Sequence, residues 1–472
     1  MNTTDLCFLS IDEASKLISA RELSPVELVT AHLNRISKSD GSLNSFITLL
    51  ETEALAAARA ADAEIRRGEY RGPMHGVPFG LKDLYYTKGV RTTVGSNIMR
   101  DFVPDYNAVV VEKLKDAGAI IMGKLQMHEF AFGATSENPH FGAAHNPWDT
   151  DRITGGSSGG SGSAVAAGQC MAALGSDTGG SVRIPASLCG IVGLKPTFGR
   201  ISRTGVFPLS WTLDTVGPMT RTVRDAALVM NAIAGHDPGD PMSSDRPSED
   251  FTAGLTGDVL GIRVGIPKEF FFDGVVPEVH AAVTAAAGVL EAAGARVQEV
   301  SVPLAEQNRA IGRSIMGPES ADVHLDNLRE HAGELDAKVR ARFEEGGEAK
   351  AVDYIKALRD RRAYVEEMKE ATRDVDVLLT ATTPVAATRI GETEVVVEGK
   401  AWSPLLLFPE KTRPFNINGV PAISVPCGFT SEDLPIGLQI SGRAFDEATV
   451  LNVAHTYEQA TDWHKSRPPI AV

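Results

Sequence analysis

Hydrophobic and polar positions in the N-terminal part of the chain repeat with the period of an α-helix. Ser10 stands before one such segment with Glu13 three residues later, which is the pattern of a capping box. Ser24 and Pro25 begin a second segment, with proline at the first helical position. The pattern predicts a helical N-terminal region over about residues 1–66.

Farther along, helical segments alternate with short apolar runs. Residues 109–117 have a helical pattern and 119–123 are continuously apolar, and the same order recurs at 277–293 and 296–300. Further buried strands are predicted at 76–83, 376–379 and 422–426. This order predicts an α/β fold, with a large mixed, mostly parallel twisted sheet covered by helices on both faces.

Composition and charge narrow the function classes. The chain has 46 Lys and Arg against 61 Asp and Glu, a net charge of -15, which argues against nucleic acid or an anionic membrane as partner. No apolar run reaches the roughly 18 residues of a membrane span, and the N-terminus lacks the pattern of a signal peptide. The four cysteines are far apart and predict buried thiols, without a zinc motif. We expect a cytoplasmic protein with no nucleic-acid or membrane partner.

Two glycine-serine loops, 155–163 and 176–181, flank the apolar run 164–174. Glycine allows backbone N–H groups to approach a ligand, and a serine hydroxyl becomes a nucleophile beside a base. The first loop also fits the loose G-x-S-x-G pattern, which would make Ser157 a nucleophile. Lys82 lies at the end of an apolar run, where desolvation would favour the neutral amine that can accept a proton.

Several long segments resemble the amidase signature family. They lie at 76–83, 155–161, 175–186, 189–197, 382–384, 419–426 and 457–458, in the family's order and over nearly the whole chain. The resemblance implies a single domain over 1–472. Within this domain we expect the helical N-terminal region, a signature core at about 67–225 and, from its charged helical pattern, a helical cap at about 304–373.

The resemblance also implies a Ser–cis-Ser–Lys triad. Ser181 would be the nucleophile, and Ser157, after a cis peptide bond from Gly156, would relay a proton to Lys82. Backbone N–H groups expected to bind the oxyanion are those of Thr178, Gly179, Gly180 and Ser181. Residues expected to support the loop are Ser158, Asp177 and Arg183. The implied reaction, amide hydrolysis through an acyl-Ser181 intermediate, would need no metal and no organic cofactor.

The family contains stand-alone amidases and the glutamine-hydrolysing A subunit of the tRNA-dependent amidotransferase. In the latter, an arginine would bind the glutamine carboxylate, and Arg361 lies near its expected place. The aspartate of these subunits aligns with Pro409, beside Glu410, and Leu125-Gln126 replaces a Thr-Asn pair. These departures favour a stand-alone amidase for a small-molecule aryl or alkyl amide or anilide. The glutamine-hydrolysing subunit is the alternative, and a homodimer is the candidate assembly. Apolar residues proposed for the pocket are Met127, Phe130, Phe132, Trp211 and Leu406.

Overall fold

The structure is a computed structural model that describes residues 2–471. Its strands are β1 Phe46–Leu49, β2 Pro78–Lys82, β3 Ile120–Leu125, β4 Glu137–Asn138, β5 Gly142–Ala143, β6 His145–Asn146, β7 Asp149–Ile153, β8 Ala172–Asp177, β9 Val192–Lys195, β10 Thr215–Thr220, β11 Arg263–Pro267, β12 Arg296–Val300, β13 Val377–Ala381, β14 Val395–Val397, β15 Lys400–Trp402, β16 Ala422–Phe429 and β17 Pro435–Ser441. Its α-helices are α1 Thr3–Cys7, α2 Ile11–Ser19, α3 Pro25–Leu43, α4 Glu51–Arg66, α5 Val109–Asp116, α6 Gly159–Ala166, α7 Arg183–Cys189, α8 Val223–Ile233, α9 Pro277–Ala292, α10 Asn308–Val323, α11 Leu325–Glu330, α12 Ala337–Gly347, α13 Ala351–Ala371, α14 Pro404–Leu407, α15 Arg413–Asn418 and α16 Glu447–Gln459.

One sheet of 11 strands runs through the molecule in the order β1-β3-β2-β8-β10-β9-β16-β17-β13-β11-β12. The predicted large mixed sheet is therefore confirmed. Parallel pairing is confined to β3-β2-β8 and β13-β11-β12, and the other six of the ten neighbouring pairs are antiparallel. The expected majority of parallel strands is therefore wrong: β10 pairs antiparallel with both β8 and β9, and β16 and β17 are antiparallel neighbours.

Apolar clusters cover both faces of this sheet. Side chains alternate between faces along a strand, and in β3 Ile121 belongs to one cluster while Ile120 and Met122 belong to another. The first cluster includes residues of α2, α5, α8, α9 and α16, and the second includes residues of α3, α4, α6 and α7. Both faces of the central strands are therefore closed to solvent, as a large α/β sheet requires.

The predicted helix starts are confirmed in the N-terminal region. Ser10 and Glu13 form a capping box at α2, and Ser24 and Glu27 form another at α3. The region is not entirely helical, because β1 lies between α3 and α4 and pairs antiparallel with β3. Buried Phe46 at the start of β1 packs into the second cluster, so tertiary packing selects an extended conformation there.

The predicted helical cap corresponds to α10–α13, which pack on one another and on α15. The end of β2, the loop before α6 and the loop between β8 and α7 carry the predicted catalytic residues Lys82, Ser157 and Ser181. No helix within residues 2–471 is both long and apolar enough to cross a membrane.

Candidate active site

Lys82 is the last residue of β2, which lies between β3 and β8 in the sheet. Its side chain is fully buried. The Nζ atom donates hydrogen bonds to the hydroxyl groups of Ser157, at 2.7 Å, and Ser176, at 2.8 Å. The central strand thus holds an amine against two serines from the two glycine-serine loops.

Burial lowers the pKa of Lys82 from 10.5 to about 7, and the nearby carboxylates of Asp214 and Asp177 offset this effect only in part. Desolvation penalises the ammonium form because a buried charge loses its hydration. A large fraction of this lysine is therefore the neutral amine near neutral pH, which is the form a general base needs.

Ser157 lies in the loop before α6 and is fully buried. The peptide bond between Gly156 and Ser157 is cis. The Ser157 carbonyl accepts a hydrogen bond from the backbone N–H of His128 at 3.1 Å, so the loop is fixed to the segment after β3. These contacts leave the Ser157 hydroxyl facing Lys82.

Ser181 lies in the loop between β8 and α7 and is partly exposed. It lines a small cavity of about 30 Å³ together with Gly179. No hydrogen bond joins Ser181 to Ser157 within residues 2–471. The structure therefore brings Lys82 and Ser157 into contact and places Ser181 at the cavity, where a substrate carbonyl can reach it.

The backbone N–H groups of the loop that carries Ser181 differ in whether they already have a hydrogen-bond acceptor. In the described part of the chain, the N–H groups of Thr178, Gly179 and Ser181 have no protein acceptor. Gly180, which the resemblance placed in the oxyanion hole, instead donates to Asp177 Oδ1 at 2.8 Å. The buried carboxylate of Asp177 competes for this donor, since charge-assisted hydrogen bonds are the stronger ones. The Thr178 hydroxyl donates to Asp214 at 2.6 Å and fixes the other end of the loop.

Asp177 and Arg183 form a buried ion pair beneath the loop. Arg183 Nη2 lies 2.9 Å from Asp177 Oδ1, and both side chains are fully buried. Burial alone would raise the pKa of Asp177, but Arg183 and the Asn416 amide lower it to about 2. Arg183 also donates to the carbonyl of Thr412 at 2.9 Å. The pair therefore ties the Ser181 loop to the start of α15.

Ser158 lies next to this network. Its hydroxyl accepts a hydrogen bond from the Ser176 backbone N–H at 3.3 Å and lies 3.4 Å from the Ser176 carbonyl, to which it donates. Ser158 thus connects the loop before α6 to β8. The hydroxyl of Ser176 itself, which bonds Lys82, was missed by the sequence reasoning, although Ser176 stands inside the second glycine-serine loop.

The five proposed pocket residues fall in three places. Phe132 lines the Ser181 cavity and an adjoining cavity of about 820 Å³, which Leu406 also lines. Trp211 is half exposed and lines a different cavity of about 270 Å³ that reaches Ser176 and Asp214. Met127 and Phe130 are fully buried in the core and line none of these three cavities, because their side chains are enclosed by core packing.

Polar residues of the pocket differ from those expected. Arg361 donates to the carbonyls of Ile417 and Thr212, holds α13 in place and does not line the Ser181 cavity. Two other arginines, Arg342 and Arg413, line that cavity instead. They come from α12 and α15, and no short motif in the sequence joins them.

Comparisons with known proteins agree with this geometry. The family model "Amidase" matches residues 27–451. Among curated proteins, the A subunit of glutamyl-tRNA(Gln) amidotransferase from Chloroflexus aggregans is 44% identical, over 99% of both chains. The protein of the same name from Moorella thermoacetica is 42% identical, over 99% of this chain and 100% of the relative. A solved structure from a vestigial complex, described as revealing the origins of an s-triazine catabolic enzyme, superposes with a TM-score of 0.92 at 36% identity, covering 96% of this chain and 98% of that chain.

These relatives overturn two expectations. A stand-alone amidase was favoured because Pro409 replaces an aspartate and Gln126 follows Leu125, but the curated relatives that match the full length are amidotransferase subunits. The exclusion of nucleic acid as partner is wrong for the same reason. Net charge describes the whole chain and does not exclude an assembly in which nucleic acid binds elsewhere.

Proposed function

The chain belongs to the amidase family, and from this premise we propose that it is the glutamine-hydrolysing A subunit of a tRNA-dependent amidotransferase. Full-length similarity to the A subunit of glutamyl-tRNA(Gln) amidotransferase supports the substrate and the assembly. The observation that carries the chemistry is the contact of buried Lys82 with Ser157, next to the loop of Ser181.

In the first half-reaction, the Ser181 hydroxyl attacks the side-chain amide carbon of glutamine. Its proton passes to Ser157, whose own proton passes to the neutral amine of Lys82. The carbonyl oxygen becomes an oxyanion, which accepts hydrogen bonds from the N–H groups of Gly179 and Ser181. Each such donor typically lowers the barrier by about 3 kcal/mol.

Collapse of this intermediate breaks the C–N bond. The Lys82 ammonium returns its proton through Ser157 to the leaving nitrogen, and ammonia departs with Ser181 acylated. Water then attacks the acyl carbon, and its proton passes through Ser157 to Lys82. The bond between the acyl carbon and the Ser181 oxygen then breaks, Lys82 returns the proton through Ser157 to that oxygen, and glutamate is released. Lys82 thus acts once as base and once as acid in each half-reaction, which a pKa near neutrality favours.

This role implies that the protein works together with partner proteins and tRNA. The released ammonia would be used by another subunit to amidate glutamyl-tRNA(Gln). A role in preparing aminoacyl-tRNA would place the protein in the cytoplasm.

The proposal is tested by assembling the purified chain with its partner subunits, glutamyl-tRNA(Gln) and glutamine. We expect ammonia release from glutamine and amidated tRNA, both lost in Ser181→Ala. Arg359→Met, at an exposed position of α13 outside the cavities, serves as the control. Undiminished glutamine hydrolysis by Ser181→Ala would contradict the mechanism. Hydrolysis of simple amides without any glutamine turnover would contradict the assigned substrate.

A further inference from the structure

Two positive charges face the Ser181 cavity. Arg342 on α12 and Arg413 at the first position of α15 both line it. Arg413 Nε lies 3.9 Å from the position that a β-carbon on Gly179 would occupy, so its guanidinium reaches the loop that carries Ser181. Both arginines also line the larger cavity that adjoins it. Both guanidinium groups therefore lie within reach of a substrate bound in these cavities.

Neither guanidinium has a carboxylate partner among residues 2–471. Arg342 donates to the Phe132 carbonyl at 2.7 Å and stacks on the Phe132 ring, at 3.6 Å from its centroid. Arg413 makes no hydrogen bond or ion pair with the described residues. The nearby acids are already engaged, since Glu410 pairs with Arg309 and Glu345 pairs with an arginine on α10.

The two arginines also repel each other. Burial lowers the pKa of Arg342 to about 10, and the positive charge of Arg413 contributes in the same direction. Like charges held together in a partly buried pocket are unfavourable unless an anion lies between them. Guanidinium groups match the planar, two-oxygen geometry of a carboxylate. The arrangement therefore fits an anionic ligand.

We propose that Arg413, acting with Arg342, binds a carboxylate on the acyl part of the substrate and selects ω-amides of dicarboxylic acids. The proposal rests on amide hydrolysis at Ser181 and adds the residue that sets specificity. It identifies the carboxylate as the group of glutamine that is recognised.

Within residues 2–471, no acidic side chain lines the Ser181 cavity to bind the α-ammonium group of glutamine. Pro409 stands there instead. Glu410, which follows it, is buried and paired with Arg309. Glutaramate, which is glutamine without the ammonium, should therefore be hydrolysed at least as efficiently as glutamine.

The test compares glutaramate, glutamine and uncharged pentanamide as substrates for the full chain with its partner subunits. In Arg413→Met the apolar stem is kept and the charge is lost. We expect kcat/KM for glutaramate to fall at least about tenfold, mostly through KM, because a charge-assisted hydrogen bond is removed. Pentanamide should be affected little, and Arg413→Lys should restore part of the preference. Arg359→Met should match the parent enzyme.

A binding measurement separates this proposal from the proposed function. Glutarate is titrated calorimetrically into the Ser181→Ala protein, whose folding is checked by circular dichroism. We expect binding that weakens at least about tenfold when Arg413→Met is added. Equal glutarate affinity with and without Arg413, or an unchanged preference for glutaramate over pentanamide in Arg413→Met, would overturn the proposal. Absence of all amide hydrolysis alongside Arg413-dependent glutarate binding would contradict only the catalytic assignment.

Discussion

The pH dependence of catalysis should follow the protonation of Lys82. Burial lowers the pKa of this lysine to about 7, and only its neutral form can accept the proton from Ser157. At pH 8 about 90% of such a lysine is neutral, against about 0.3% for an exposed lysine with a pKa of 10.5. Burial in β2 therefore supplies about a 300-fold larger fraction of active base at pH 8.

The measurement is kcat/KM for amide hydrolysis from pH 5.5 to 9 in a buffer series of constant ionic strength. We expect a plateau above about pH 8 and a tenfold decrease per pH unit well below 7, to about 3% of the plateau at pH 5.5. Activity falls toward acid pH because protonation of Lys82, whose pKa is about 7, removes the base. Lys82→Met should lose activity at least about 100-fold over the whole range.

A second buried lysine provides a matched control. Burial also lowers the pKa of Lys195 to about 7, with the charge of Arg183 contributing. Its Nζ donates to the Pro196 carbonyl and, within residues 2–471, forms no hydrogen bond with Ser157 or Ser181. Lys195→Met should keep the acid limb near pH 7. A profile that is flat down to pH 5.5, or an acid limb that disappears with Lys195→Met, would refute the reasoning.

Three further substitutions test the scaffold around the nucleophile. Gly180→Ala should lower kcat at least about 100-fold, because φ is +133° there and a β-carbon would overlap Thr412; steady-state kinetics measures it. Arg183→Met should lower the free energy of unfolding by about 3–5 kcal/mol in urea titrations, since Asp177 would lose its buried partner. Ser176→Ala should lower kcat about tenfold at constant KM, because Lys82, the proposed base, loses one of its two hydroxyl partners. A loss smaller than twofold, or one confined to KM, would contradict that role.

Local sequence signals predicted much of the fold. Capping residues such as Ser10 and Ser24 act on the turn that follows them, so their helix starts were identified correctly. Strand neighbours were harder, because the order of elements along the chain does not say which strands become adjacent. The four-residue strand that begins at Phe46 was missed for a related reason, since its partner β3 lies about seventy residues away.

The candidate site likewise contains residues that the sequence located and residues that it did not. Lys82 and Ser157 stand in contiguous motifs, and the structure places them in contact. Arg342 lies on α12 of the helical cap and Arg413 on the neighbouring α15. Only tertiary packing brings them to one cavity. Arg361 lies near the place in the sequence expected for a carboxylate-binding arginine, but it donates hydrogen bonds to backbone carbonyls instead. Motifs therefore locate the proposed reacting groups, whereas the residues proposed to bind the substrate depend on packing between distant segments.

The central claim is that an acyl group is carried by Ser181 during glutamine hydrolysis. Acid quenching during turnover, followed by peptide mass spectrometry with fragmentation that separates Ser157 from Ser181, tests it directly. The account predicts a glutamyl group on Ser181 that appears with glutamine and is absent from the Ser181→Ala protein. An acyl group on Ser157, or turnover with no acylated serine and full activity in Ser181→Ala, would contradict it.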